Sequence, residues 1–123
     1  MLTRGIGSQC YSVSQTLPSL KQTELHLYAA HQDQVIALPP DASVFLTSVH
    51  CEFAGLTYGL PVRAISIQAH PEFTKDYEQF VIEKTPLSDK MKACALRSLD
   101  IIHNDSLTGW ILAFILTAHR ASC

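Results

Sequence analysis

The sequence predicts an α/β domain, with short strands filling its first two-thirds and helices its last third. Three observations carry this. Leu25, Leu27 and Ala29 alternate with His26 and Tyr28, the period of a half-buried strand. Gly5, Gly7, Pro39-Pro40 and Gly59 punctuate a series of short apolar runs, as turn residues do between strands. Near the end, Leu107, Trp110, Ile111, Phe114 and Ile115 recur at three and four residues, which marks one buried face of a helix.

The elements follow in order. A first strand is predicted over Ile6 to Val13 and a second over Leu25 to Ala30. A short third run, Val35 to Leu38, is stopped by Pro39-Pro40, which cannot donate to a ladder. Val44 to Ser48 and Phe53 to Tyr58 come next, and Leu60-Pro61 turns the chain into Val62 to Gln68. The tight link through Gly59 makes those last two strands antiparallel neighbours. A helix over Asp76 to Lys84 carries Tyr77, Phe80 and Val81 on one face and is ended by Pro86. A second is expected from near Ser88 to about Ile102, with Met91, Ala95, Leu99 and Ile102 in phase, and a third from Ser106 as N-cap towards His119. His103 and His119 are then expected at helix ends facing solvent, where a cation suits the dipole.

At 123 residues the chain fits one domain, able to bury about two-thirds of its unfolded surface. Nine Lys and Arg are scattered without a basic run, which argues against nucleic acid. No run of about 20 apolar residues is present, so no transmembrane helix and no membrane partner is expected. The opening residues lack an apolar signal region. Cys10, Cys51, Cys94 and Cys123 form no C-x-x-C pair, and free thiols together with the missing signal region point to the cytoplasm. His26, His31, His50 and His70 show no ligand spacing such as i, i+4 on one helix, so neither a metal nor another cofactor is expected.

The segment with most chemical content is Gln68-Ala69-His70-Pro71-Glu72-Phe73, which follows the apolar run Arg63 to Ile67. A histidine and a carboxylate two residues apart at a strand end can serve as a base and the acid that holds its tautomer and steadies its charge. Pro71 fixes φ and removes an amide, so the chain turns out of the sheet just after His70. Both groups then reach the carboxyl edge of the sheet, where open α/β sheets bind ligands.

Together with His31-Gln32-Asp33-Gln34-Val35, Leu38-Pro39-Pro40, Ser48 and Cys51, the block His70-Pro71-Glu72-Phe73 gives the chain its family likeness. It resembles the class I glutamine amidotransferase domain, in the stand-alone group similar to the amidotransferase part of GMP synthase. The likeness covers roughly residues 4 to 83, with C-terminal helices over 88–119 completing a single partial domain, 1–123. It implies the C-terminal part of a doubly wound, flavodoxin-like α/β fold. It implies hydrolysis of the glutamine side-chain amide by a Cys-His-Glu triad, with His70 as base and Glu72 as its orienter. Backbone groups around Ala30, His31 and Gln32 would hold the ends of the substrate, which is glutamine or another γ-glutamyl compound. The ammonia acceptor would be set by a synthetase partner or domain.

The family's nucleophile sits in a Gly-x-Cys-x-Gly elbow, whose glycines allow a strained, closely approached backbone. None of the four cysteines here has those flanking glycines, and Cys51 matches a packing cysteine of the family. The expectation is a C-terminal half-domain, inactive alone, with an unpaired sheet edge open to self-association or to a protein partner. The other reading is a non-catalytic interaction module that docks a partner through that edge and the Trp110 stripe.

Overall fold

The structure, a computed structural model, describes residues 5–13, 20 and 22–121. Five strands come first: β1 (Gly5–Val13), β2 (Glu24–His31), β3 (Ala42–Thr47), β4 (Gly55–Tyr58) and β5 (Ala64–Ile67). Three helices follow: α1 (Lys75–Lys84), α2 (Asp89–Arg97) and α3 (Asn104–Ala121). The strands form one sheet in the order β2-β1-β3-β4-β5. Every pairing among the described strands is antiparallel.

β1 and β2 form the longest ladder, running from Gly5 opposite His31 to Ser12 opposite Glu24. Alternation along these two strands decides which helix covers which face. Tyr11, Leu25 and Leu27 point to one side and form a core with Phe45, Leu46, Leu107 and Trp110, so α3 packs there. Ile6 and Tyr28 point to the other side and meet Ile82, Ala95 and Leu99, so α1 and α2 pack there. Helices on both faces of a central sheet make the α/β architecture. Phe45 and Leu46 both reach the α3 side although adjacent, because the β3–β4 register shifts between Val44 and Leu46.

The caps explain where two helices begin. Thr74 Oγ1 accepts from the Tyr77 amide and Ser88 Oγ from the Met91 amide, as N-caps do. α2 stops at Arg97, well before Ile102, and α3 starts at Asn104 instead of Ser106. His103 therefore lies at the N-terminal end of α3, where the dipole disfavours a cation, and its Nδ1 accepts from the His26 amide at 2.8 Å. The side chain of His119 and all of Cys123 lie outside the described residues.

Three further expectations change. Residues 35–38 form no strand, and Ile36 and Leu38 are 90% and 44% exposed, so four apolar residues before two prolines find no ladder to join. On α1 the residues that go inside are Glu78 and Ile82, while Tyr77 and Phe80 are about half exposed. In the α3 stripe Leu107 and Trp110 are buried, but Ile115 is 54% exposed.

Close approach of α2 to β1 depends on Gly7. Its φ is +81°, and a Cβ there would lie 2.7 Å from Ser98 Oγ and 3.1 Å from the Ala95 backbone. Gly7→Ala should cost about 2 kcal/mol in a urea titration, from backbone strain and displacement of α2. An unchanged midpoint would show that α2 moves freely on this face.

Candidate active site

The chain leaves β5 at Ile67 and stays tied to the sheet by the Gln68 amide, which donates to the Ala54 carbonyl at 2.9 Å. The His70 amide then donates to the Tyr28 carbonyl of β2 at 2.8 Å. β5 and β2 lie at opposite edges of the sheet, so this bond closes a curled sheet across its end. Pro71 and Glu72 occupy a turn closed by the Phe73 amide donating to the His70 carbonyl at 3.1 Å, and Thr74 then caps α1. Strand end, turn and helix start thus fix six consecutive residues.

Within that turn His70 Nδ1 lies 2.7 Å from Glu72 Oε1. An ionised carboxylate only accepts, so beside an ionised Glu72 the shared proton sits on Nδ1, and in the neutral ring Nε2 keeps its lone pair. Phe73 stacks on the imidazole with centroids 4.2 Å apart and planes 4° from parallel, and Tyr77 meets Phe73 edge-on at 4.5 Å. One edge of the ring is held by the acid and one face by an aromatic plane. The His70 side chain is 35% exposed, so solvent and small molecules can reach it.

Behind this pair lie two titratable groups with altered protonation. Glu78 on α1 is fully buried, and its Oε1 accepts from the Gly7 amide at 3.2 Å. Burial pushes its carboxyl up to about 7, against the lowering pull of that amide and of His70. Its Oε2 has no hydrogen-bond partner among the described residues. His31, at the end of β2, is held below the usual imidazole range, chiefly by burial and also by the charge of His70, while its contact with the Asp33 carbonyl acts the other way. Its ring fills the space over Gly5, where a Cβ would lie 2.3 Å from Nε2. The sequence offered little sign of Glu78, since the apolar Tyr77, Phe80 and Val81 drew the expected buried face elsewhere. The usable signal is its four-residue spacing from Ile82.

Ala30, His31 and Gln32 line a cavity of about 190 Å³ together with Gly5, Ile6, Val81 and Thr85. A larger cavity, about 350 Å³, is lined by Phe73, Tyr28, Lys75, Ile102 and His103 among others. Among the described cysteines none hydrogen-bonds His70. Cys51 is buried and donates to Gln68 Oε1 at 2.9 Å, with burial raising its thiol pKa. Cys10 is exposed on β1 and Cys94 exposed on α2.

No family model and no curated protein matches the sequence. Solved structures do match. SMU.1228c aligns over 94% of this chain and 53% of its own, with a TM-score of 0.69 and 18% identity. A Thermoplasma acidophilum protein, provisionally named as part of GMP synthase, aligns over 58% of this chain and 36% of its own, with a TM-score of 0.52 and 25% identity. A glutamine amidotransferase from Thermotoga maritima aligns over 76% and 42%, with a TM-score of 0.58 and 24% identity. The chain therefore spans between 36% and 53% of these relatives. It has a glutamine-amidotransferase-like α/β fold in partial form.

Proposed function

We propose that residues 1–123 are the acid-base half of a glutamine-amidotransferase-like domain, with the core over 4–83 and the helices over 88–119. His70 is the base that takes a thiol proton at Nε2, and Glu72 orients it through Nδ1. The observation that carries this is the 2.7 Å contact between them, in a turn that also stacks Phe73 on the imidazole. Backbone groups at Ala30, His31 and Gln32, beside a cavity of about 190 Å³, hold glutamine or a γ-glutamyl compound. Free thiols at Cys10, Cys51 and Cys94 support a reducing compartment such as the cytoplasm. Among the described residues no helix is long and apolar enough to cross a membrane.

A histidine base without a thiol to activate gives no covalent catalysis. The purified chain should release no more ammonia from glutamine than a His70→Ala control. Ammonia that disappears in the control would assign the nucleophile to one of the four cysteines and sink the half-site reading. Supplying a segment with a Gly-x-Cys-x-Gly elbow, in the gene or on a partner, should restore hydrolysis, and His70→Ala should then remove about 10³-fold or more of it.

One observation favours docking of a partner as a second role. Leu112, Ile115 and Leu116 of α3 are 57%, 54% and 47% exposed, a row of apolar side chains on one helix.

A further inference from the structure

We propose that Cys10, Glu24 and His26 form a binding site for a divalent cation of the zinc class on the β1–β2 ladder. Cys10 and His26 are directly paired across the two strands. Glu24 lies two residues before His26 and so projects from the same face. One ligand atom from each of the three lies within 4.8 Å of both others. The arrangement depends on cross-strand register, so it leaves no C-x-x-C or i, i+4 signature in the sequence.

The donor set suits such an ion. Thiolate and imidazole prefer zinc-like cations over calcium or magnesium, and a carboxylate completes a mixed set. Thiolate and carboxylate together cancel the charge of a divalent ion, with the imidazole neutral. Tetrahedral coordination places donor atoms about 3.3–3.6 Å apart, so the three need close by no more than about 1.5 Å. Cys10 and Glu24 are exposed and His26 is half-buried, so side-chain rotation alone can close them. Binding expels the Cys10 thiol proton to solvent.

The backbone under His26 is already fixed. Its amide donates to His103 Nδ1 at 2.8 Å, and its carbonyl accepts from the His103 amide at 2.7 Å. The two rings sit 5.3 Å apart. Because His103 Nδ1 accepts, its neutral ring carries the proton on Nε2 and offers the ion no lone pair there. Water fills the fourth position, which leaves the ion open to a further ligand.

Cobalt titration of the reduced, purified chain tests this. One equivalent of Co²⁺ should produce thiolate-to-cobalt charge-transfer absorption with tetrahedral visible bands, and Zn²⁺ should displace it. Cys10→Ser should abolish the thiolate band. His26→Ala and Glu24→Gln should each weaken binding at least about tenfold, the floor set by loss of outer-sphere partners elsewhere. Cys94→Ser, at an exposed thiol outside the cluster, should leave the titration unchanged. Absence of a thiolate band, or a band that survives Cys10→Ser, overturns the proposal. None of these readouts depends on glutamine hydrolysis, so the result is independent of the His70 assignment.

Discussion

Replacing Glu78 by glutamine should make the fold more stable at pH 8 and flatten its dependence on pH. The free carboxyl titrates near 4.5, whereas burial in the folded chain raises it to about 7. Below pH 4.5 both states carry the proton and the group contributes no difference. As pH rises from 4.5 to about 7 the unfolded chain releases the proton while the folded chain retains it, so stability falls. Above pH 7 the penalty is constant at roughly 3 kcal/mol, from 1.36 kcal/mol per pKa unit. Glutamine keeps the oxygen that accepts from the Gly7 amide and removes the titration. Its amide nitrogen inherits the unpartnered position of Oε2, which limits the gain to about 2 kcal/mol at pH 8. Urea midpoints of both proteins between pH 4 and 8 measure the difference. Parallel profiles would mean that Glu78 titrates at its ordinary value in the folded chain and that water reaches it.

Phe45→Ala should be the most damaging single truncation in the α3-side core. Phe45 is fully buried and its ring lies 5.3 Å from that of Trp110, at the junction of β3 and α3. Removing a buried phenylalanine costs about 3–5 kcal/mol, the transfer term plus the cavity left behind. That is a large part of the 5–15 kcal/mol that typically holds a domain together. Trp110 is the sole tryptophan, 6% exposed, so its emission reports this interface without labels. The variant should unfold at a lower urea concentration, with emission already shifted to the red in buffer. Ile115→Ala, on the exposed side of the same helix, should change stability by less than about 0.5 kcal/mol. Equal effects from the two variants would mean that α3 is not seated on the sheet as described.

Most strand positions were legible because burial on one or both faces imposes a period of two. β2 shows this most clearly, since Leu25 and Leu27 face one core and Tyr28 the other. The β4–β5 hairpin was legible from the short link through Gly59. The His70 and Glu72 pair was legible because it is local, with two residues and a proline setting its geometry. Features that depend on distant partners were not. Residues 35–38 have the composition of a strand but, among the described residues, no neighbour to pair with. The end of α2 was misplaced because Leu99 and Ile102 keep helical spacing while packing from a turn and a loop. Glu78 and the Cys10–Glu24–His26 cluster required knowing which strand lies beside which and how α1 sits upon them.

The strand order also shapes how the chain reaches this fold. β1 pairs with β2 in one ladder, and β3, β4 and β5 form successive ladders in sequence order. Each group consists of contacts between chain neighbours, and local pairings close quickly because little loop entropy is lost. The β1–β3 pairing is shorter, joining Ser12 and Val13 to Thr47 and Leu46. The His70 amide to Tyr28 carbonyl bond spans the same two groups. His70 can meet Glu72 while β5 is still forming, but it takes its position over β2 only when the two halves of the sheet dock. Late assembly of the site is the expected outcome, and protection of the His70 amide from hydrogen exchange only after that of the β1–β2 ladder would show it.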